Sequence, residues 1–392
     1  MKKGWTYKKF SDAFHLQMGK TPSRDNPTYW GGDNSWVSIA DLKGKYVSTT
    51  KEKITDKAID ESGIFMVPKG TVIMSFKLTI GRTAIASEDL YTNEAIMSFV
   101  PITNDTILAD YLYYYLQGYK WSGANKAVMG HTLNKKTISG NIIAYPPLEE
   151  QHQIVSELDK LNLIIEKKKQ QVKELDKLAQ SIFYDMFGDP VENEMCWDCV
   201  PFNTVCKGMT KGPFGSDIKK SLFVPKSNDT IKVYIQINAI QKNENLGDYY
   251  ITQEYFERKM TRFEVFPQDY IITCDGTLGK CLRLSESMER GIISASLLKL
   301  TLNEKIIPYY FESLWANYLL SKLVNQTRNA ALIHLPSAKV IGNELIPLPP
   351  LNLQQSFAAK VEAIERQKDL INQSIREAQT LFDSRMEYYF GE

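Results

Sequence analysis

Two stretches of the chain share one pattern of apolar and polar positions. In residues 146–189, apolar residues recur at alternating steps of four and three, which predicts a long helix with a single apolar seam. The pattern lasts for about 35 to 40 residues, whereas an average helix has about 11 or 12. We therefore predict a helix that packs along its whole length, interrupted by Lys168. Its predicted seam residues are Ile154, Leu158, Leu161, Ile165, Val172, Leu175 and Ile182.

Residues 349–392 repeat this stretch without a gap, at an offset of 203 residues. Both copies begin with Pro-Pro-Leu, place a glutamine at the sixth position (Gln151 and Gln354) and end in Phe-Gly followed by an acidic residue. Since the second copy lies in the same chain, it is the natural partner of the first helix. Lys368 and Arg385 interrupt its predicted seam, which consists of Phe357, Val361, Ile364, Ile371, Ile375 and Phe382.

The repeat divides the chain into four parts, which are residues 1–145, 146–189, 190–348 and 349–392. Residues 1–145 contain short apolar runs that predict strands near 36–40, 72–76, 83–86 and 95–101, followed by a short tyrosine-rich helix at 110–117. Residues 190–348 keep this order. We match Trp36 with Tyr234, Arg82 with Lys280, and His131 with His334. The duplication therefore covers the globular parts as well as the helices.

Charge is unevenly distributed along the chain. The net charge of the whole chain is +1, but residues 1–145 carry +5, residues 190–348 carry +1, and the two predicted helices together carry −5. A basic excess in the globular parts is compatible with phosphate binding, and acidic helices favour a protein partner. The sequence lacks both an 18-residue uncharged apolar run and an apolar segment after its first lysines, so we expect a cytoplasmic protein without membrane attachment.

The residues do not form a recognisable catalytic or metal-binding constellation. All five cysteines lie between positions 196 and 281, and Cys196 and Cys199 lack a second ligand pair at zinc-site spacing. We therefore expect reduced thiols and no metal. Loops rich in turn residues instead carry Arg, Lys, Asn and His side chains, which can reach phosphates and base edges. The candidate DNA contacts are Lys20, Arg24, Lys77, Arg82, Asn125, Lys126 and His131 in the first globular part, and Lys211, Lys219, Lys220, Lys280, Arg328, Asn329 and His334 in the second.

The chain resembles the specificity subunits of type I restriction-modification systems over essentially its whole length. The resemblance rests on Gly19–Ser23, Tyr29–Gly32 and Trp36–Ile39, on Gly212–Ser216, and on the duplicated helix entries and ends. It implies an α+β fold with two globular, mostly β target-recognition domains, separated by two long antiparallel helices that form an intramolecular coiled coil with a pseudo-two-fold repeat.

The resemblance also implies function and partners. Each globular domain would read one half of a bipartite, asymmetric site in double-stranded DNA, and the paired helices would set the spacing and dock the methyltransferase subunits. Two modification subunits would supply S-adenosylmethionine chemistry at adenine N6, and restriction subunits would supply ATP- and magnesium-dependent translocation and cleavage. The chain itself would hold no cofactor and catalyse nothing.

Two alternatives from other classes stay open at the level of sequence. One is a self-sufficient DNA methyltransferase or nuclease, and the other is a coiled-coil adaptor whose globular parts bind proteins. An enzyme would bind S-adenosylmethionine or modify DNA without partners. A DNA reader, unlike a protein adaptor, would lose affinity steeply as the salt concentration rises.

Overall fold

A computed structural model describes residues 2–103, 106–122, 125–127, 130–236, 249–327 and 334–391 of the chain. Its contacts divide the chain into two compact units. Unit 1 consists of Met1–Gln170 and Asn372–Glu392, and unit 2 consists of Gln171–Ile371. Each unit thus holds one globular part and one half of each long helix. The boundaries of the four predicted parts stay a prediction.

Unit 1 begins with short strands and helices and leads into the first long helix, whose second half belongs to unit 2. Its elements are β1 (Thr6–Lys9), α1 (Phe10–Ala13), β2 (Phe14–Met18), β3 (Trp30–Val37), β4 (Tyr46–Val47), β5 (Glu52–Ile54), α2 (Asp56–Ser62), β6 (Val72–Ser75), β7 (Thr83–Ala86), β8 (Tyr91–Thr92), β9 (Ile96–Pro101), α3 (Ala109–Gly118), β10 (Asn125–Ala127), β11 (Gly130–Thr132), α4 (Lys135–Gly140), β12 (Ile142–Tyr145) and α5 (Leu148–Phe187).

Unit 1 contains a five-stranded sheet in the order β2-β9-β6-β7-β4 and a three-stranded sheet in the order β5-β3-β8. All residues of β6 and β7 are buried, as expected for the central strands that their uninterrupted apolar runs predict. Helix α3, which the sequence predicted as a short tyrosine-rich helix, lies against this sheet and buries all four of its tyrosines in the core.

Unit 2 continues from the end of α5 and includes the first half of the second long helix. Its elements are β13 (Cys199–Pro201), β14 (Cys206–Lys211), β15 (Thr230–Tyr234), β16 (Tyr250–Thr252), α6 (Gln253–Tyr255), β17 (Glu264–Val265), β18 (Tyr270–Thr273), β19 (Cys281–Arg283), β20 (Gly291–Ile293), β21 (Leu297–Leu302), α7 (Pro308–Leu314), α8 (Leu320–Thr327), α9 (Ala338–Asn343), β22 (Leu345–Pro347) and α10 (Leu351–Phe390).

Unit 2 repeats the strand pairing of unit 1. Its sheets run β14-β21-β18-β19 and β16-β15-β20-β17, so the first matches β2-β9-β6-β7 strand for strand. The parallel pair β15·β20 corresponds to β3·β8, and the antiparallel pair β13·β22 corresponds to β1·β12. The predicted duplication of the globular parts is therefore seen in the topology.

Buried side chains of the same kind join the same elements in both units. Gln151, at the start of α5, accepts from the N–H of Leu108 at 2.9 Å and donates to the carbonyls of Thr106 and Pro146. Gln354, at the start of α10, accepts from the N–H of Ile307 at 2.8 Å and donates to two carbonyls in the same way. Both glutamines are fully buried. The repeated glutamine of the sequence therefore ties each long helix to the N-terminus of the aromatic helix in its own unit.

Two repeated tyrosines strengthen this correspondence. Tyr111 donates to the carbonyl of Ala144, and Tyr310 donates to the carbonyl of Pro347 at 2.8 Å. Tyr119 and Tyr318 donate to the first residues of β12 and β22. The aromatic helix is thereby fixed to the strand that precedes each long helix.

The hydrogen bonds also correct one match made from sequence. The N–H of Asn93 donates to the carbonyl of Val37, and the N–H of Ser294 donates to the carbonyl of Tyr234. The equivalent of Tyr234 is therefore Val37 and not Trp36. The reason is that strand pairing fixes the register, whereas loops of unequal length on either side leave a sequence match free to shift by one residue.

Both long helices span 40 residues, as the seam predicted. Helix α5 begins after two prolines and ends at Phe187. Gly188 follows it with a φ of +73°, the left-handed conformation that glycine adopts most readily. In unit 2, Asp176 contacts Lys368 and Phe187 contacts Phe357, so this stretch of the pair is antiparallel.

The seam is buried most deeply near the globular parts. Ile154, Leu158, Ile165, Phe357, Val361, Ile364 and Phe382 are buried. The seam residues that are only partly buried are Leu161, Val172, Leu175, Ile182, Ile371 and Ile375.

Phe183 and Phe187 are buried, although the heptad pattern placed Ile182 in the seam and neither phenylalanine. Phe183 lies between Tyr310 and Phe357, with ring centroids 5.9 Å from each. A helix turns once per 3.6 residues and drifts away from a 3.5-residue repeat, so this end of α5 packs on α7 as well as on its helical partner.

The architecture confirms the predicted fold class. The chain is an α+β protein with two related, mostly β globular parts and two long helices. Among the described residues, no helix combines the length and the apolar character needed to span a membrane.

Candidate nucleic-acid interface

In unit 1, several candidate contacts lie at one edge of the five-stranded sheet, which we call the unit 1 loop edge. Strand β2 ends at Met18, opposite the start of β9, and β6 ends at Ser75, also opposite the start of β9. Strand β7 begins at Thr83, opposite Met74 of β6. The loop after β2 and the hairpin between β6 and β7 therefore leave the sheet on the same side.

The unit 1 loop edge brings together six of the seven predicted contacts. Lys20 follows β2, and Lys77 and Arg82 belong to the β6–β7 hairpin. The hairpin of β10 and β11 joins them because the N–H of Leu133 donates to the carbonyl of Phe76 at 2.9 Å. In that hairpin Lys126 stands opposite His131, and Asn125 stands opposite Thr132.

Lys20, Lys77 and Arg82 differ in how far their side chains are engaged by contacts within the protein. The ammonium group of Lys20 donates to the carbonyl of Ser62, at the end of α2, at 2.5 Å. Lys77 is half-buried, and its ammonium lies 5.5 Å from the ring centroid of Phe76. Arg82 is exposed. Lys20 and Arg82 are therefore both open to solvent, whereas Lys77 is partly covered.

Arg24 is the seventh predicted contact, and it is engaged within the protein. Its guanidinium group forms two hydrogen bonds with Glu52, at 2.5 and 3.0 Å, and lies 3.8 Å from the ring centroid of Trp30. The hydrogen bond to Glu52 is the main cause of the raised pKa of Arg24. Because its charge is balanced and its planar face is covered, Arg24 is placed to stabilise the loop.

Residues 19–37 supply the framework of the unit 1 loop edge. A Cβ atom on Gly19 would lie 2.2 Å from the carbonyl oxygen of Thr92, so no other residue allows this approach without a shift of the backbone. The indole N–H of the buried Trp36 donates to the carbonyl of Lys20 at 3.1 Å. The motifs that carried the family resemblance therefore hold the loop in place.

Glu94 is a polar residue of this edge that the sequence did not reveal. Burial alone would raise the pKa of Glu94, but a hydrogen bond from the hydroxyl of Thr21 and the charges of Lys77 and Arg24 lower it overall. The group is therefore a carboxylate at neutral pH. A carboxylate among cations can accept a hydrogen bond from a base amino group. Nothing in the sequence near Glu94 distinguishes it from a solvated acidic residue.

Unit 2 has a corresponding unit 2 loop edge. Strand β14 ends at Lys211, opposite the start of β21, and β18 ends at Thr273, also opposite the start of β21. Lys280 immediately precedes β19. Lys219 and Lys220 lie further along the loop that leaves β14, and both are exposed. Arg328 and Asn329 lie outside the described residues.

The hairpins at the two loop edges have the same geometry. The N–H of Gly81 donates to the carbonyl of Ser75 at 3.0 Å, and the N–H of Gly279 donates to the carbonyl of Thr273 at 2.8 Å. Both glycines have positive φ angles, of +87° and +69°. Arg82 and Lys280, which follow these glycines, therefore occupy equivalent positions, as the sequence predicted.

The two predicted histidines are not equivalent. The N–H of Leu335 donates to the carbonyl of Cys274, as that of Leu133 does to Phe76. Thr132 therefore corresponds to His334, and His131 lies one position earlier. The sequence match was made at a constant offset of 203 residues. Unit 2, however, has one extra residue, Pro336, between Leu335 and the start of α9, so the match is shifted by one before that point.

His334 is held by a carboxylate at the unit 2 loop edge. Its Nδ1 atom lies 2.6 Å from Oδ1 of Asp275. Burial alone would raise the pKa of Asp275, but hydrogen bonds to His334 and Ser296 and the charge of Lys211 lower it overall. The carboxylate orients the imidazole and balances part of the positive charge of this edge.

The cysteines are free thiols. Cys196 and Cys199 are exposed, and burial raises the pKa of Cys206 and of Cys274 to about 12. Such buried thiols stay protonated at neutral pH, and a protonated thiol is a poor metal ligand. Across the part of the chain that the structure describes, no group of three or more His, Cys, Asp or Glu side chains is placed to hold a metal.

Comparison with known proteins agrees with this architecture. The family model of the type I restriction modification DNA specificity domain matches residues 2–175. The MjaIX specificity subunit of Methanocaldococcus jannaschii, a type I restriction enzyme subunit, is 28% identical over 393 aligned residues, which cover 92% of this chain and 87% of that protein. The HindI specificity subunit of Haemophilus influenzae is 26% identical over 112 residues, which cover 28% of this chain and 24% of that protein.

Two solved structures share the fold. The S subunit of a type I restriction-modification system from M. genitalium has a TM-score of 0.52 and 13% identity, and the match covers 98% of this chain and 95% of that one. A chain from a structure that describes assembly of the type I restriction-modification system has a TM-score of 0.60 and 15% identity, and the match covers 100% and 98%. These findings confirm the resemblance seen in the sequence: residues 2–175 match the specificity-domain family, and the chain is similar over 92% of its length to a type I restriction enzyme specificity subunit.

Proposed function

We propose that this chain is the DNA-reading subunit of a type I restriction-modification complex. Each unit binds one half of a bipartite, asymmetric site in double-stranded DNA through its loop edge. The chain selects the sequence and performs no catalysis itself.

The observation that supports this proposal is the equivalence of the two loop edges. Each edge gathers loops from the ends of matching strands, and Arg82 and Lys280 occupy the same position in the two hairpins. The surrounding residues differ, since Lys77 of unit 1 matches Asp275 of unit 2, Glu94 matches Ala295, and Thr132 matches His334. A shared framework with different side chains is what two recognition modules for two different half-sites require.

The long helices are proposed to set the distance between the half-sites and to dock the modification subunits. A helix of 40 residues is roughly 60 Å long at 1.5 Å per residue, which exceeds one turn of B-DNA at about 34 to 36 Å. The acidic surface of the helices would avoid the duplex and offer itself to protein partners.

The reaction chemistry is proposed to reside in other subunits. Two modification subunits would bind S-adenosylmethionine and methylate adenine, and restriction subunits would use ATP and magnesium. The residues of this chain would place those subunits on the chosen sequence.

A domain exchange tests whether each unit recognises one half-site independently. Residues 1–145 are replaced by those of another specificity subunit, and methylated adenines are mapped in cells that carry either chain with its partner subunits. We expect one half of the recognised site to change while the other half and the spacing persist. A change in both halves would overturn the proposal.

Two further assays separate the rival functions. The purified chain without partners is expected not to bind S-adenosylmethionine and not to methylate DNA. A self-sufficient methyltransferase would do both. Its affinity for duplex DNA is expected to fall steeply with salt, because each phosphate contact releases counterions. A protein-binding adaptor would show no such affinity.

A further inference from the structure

Leu78, in the hairpin between β6 and β7, combines two unfavourable properties. Its φ angle is +64°, in the left-handed region, where the Cβ atom of a leucine crowds the following carbonyl. Its side chain is 63% exposed, so burial does not compensate for the backbone conformation. Neither local conformation nor core packing explains a leucine at this position.

Unit 2 shows what the hairpin itself requires. The two hairpins share their closing hydrogen bonds, and the residue that matches Leu78 is Gly276, with a φ angle of +69°. Glycine adopts this conformation without a steric penalty. The fold therefore needs a left-handed residue at this point and has no need of the leucine side chain.

The surroundings of Leu78 indicate what its side chain meets. It lies next to Lys77 and four residues before Arg82, in a hairpin that leaves the sheet at the unit 1 loop edge, which also carries Lys20. Cations on both sides of an exposed apolar tip fit a duplex, whose phosphates flank the base edges in the groove. An exposed leucine in a strained conformation at a binding edge indicates selection for a contact.

We propose that Leu78 makes an apolar contact with a base edge in the half-site that unit 1 reads. Apolar side chains distinguish thymine by its methyl group in the major groove, so this contact contributes to specificity without adding charge. The inference rests on the proposed DNA-reading function and assigns one residue of that interface.

The test uses the full chain and a duplex selected by the wild-type chain from a random pool. Leu78→Gly removes the side chain and the steric crowding, and Leu78→Asn removes the apolar contact in a residue that tolerates left-handed backbone. We expect both variants to bind about tenfold more weakly, with an unchanged dependence on salt because no charge is lost. Leu78→Gly should also raise the melting temperature by about 2 to 4 °C.

Gln268 provides the matched control. It also has a left-handed backbone, with a φ angle of +69°, but it precedes β18 and so lies at the end of the unit 2 sheet opposite the loop edge. Gln268→Gly relieves the same crowding, although it also removes the hydrogen bond from the Gln268 amide to Glu286 at 2.8 Å, and it should leave DNA affinity unchanged.

The outcomes separate this inference from the function on which it rests. If the wild-type chain shows no salt-dependent duplex binding, the proposed function fails. If the wild-type chain binds and both Leu78 variants bind as tightly as the wild type, the contact is absent. A loss with Leu78→Gly alone would also overturn the proposal, since it would trace the effect to loop flexibility.

Discussion

Gln151 offers a direct test of the framework that the two units share. In Gln151→Leu, a side chain of similar size stays buried, but the N–H of Leu108 and the carbonyls of Thr106 and Pro146 lose their partner. Each buried backbone group left without a hydrogen bond costs about 1 to 3 kcal/mol, so the variant should lose on the order of 3 kcal/mol of stability. Gln354→Leu should cost a similar amount in unit 2, because Gln354 makes the same set of bonds.

Hydrogen exchange followed by mass spectrometry can locate the effect. We expect Gln151→Leu to speed exchange in α3 while α7 is unchanged, and Gln354→Leu to do the reverse. Gln153, which is exposed two residues along α5, supplies the control substitution Gln153→Leu. If Gln151→Leu lowers stability no more than this control does, the glutamine does not anchor the helix and the reasoning is wrong.

Three other predictions concern charged groups. Arg82→Gln should weaken duplex binding and make the fall of log affinity with log salt shallower by about one. Arg24→Gln should lower stability and leave that salt dependence unchanged. Binding measured over a series of salt concentrations distinguishes the two. The folded-state pKa of Asp275 is lowered, so its stabilising effect is present above the pKa of the unfolded chain and is lost as pH falls through the folded-state pKa. The stability difference between wild type and Asp275→Asn should therefore be present at pH 7 and shrink below about pH 4. A difference that persists undiminished at about pH 2 would contradict this. Lys368→Met should leave the melting temperature unchanged or raise it. The carboxylates that Lys368 pairs with, Asp176 and Glu365, stay solvated, while the seam gains an apolar side chain. A clear loss of stability would show that the ion pair is needed.

The sequence predicts the large features of this fold because periodicity and repetition leave a clear signal. The long helices, their caps, the central strands β6 and β7 and the buried tyrosines of α3 follow from apolar spacing and from glycine and proline positions. The equivalence of Arg82 and Lys280 follows from the repeated Thr-x-Gly motif. These features depend on interactions close in sequence or on patterns that the chain states twice.

The candidate site is predicted less well because it depends on contacts between distant residues. Arg24 has the same loop surroundings in sequence as Lys20, yet Glu52, 28 residues away, balances its charge. Glu94 lies at the loop edge only because β9 begins beside β2. The strain at Leu78 is invisible until its backbone angle is known. Pairing across strands decides these cases, and it leaves no local pattern.

Selection of bound duplexes from a random pool by the purified full chain tests the central claim most directly. If each unit reads one half-site, the enriched sequences will contain two different conserved blocks separated by an unspecified spacer of constant length. A single uninterrupted block, or no enrichment at all, would contradict the assignment of one half-site to each unit.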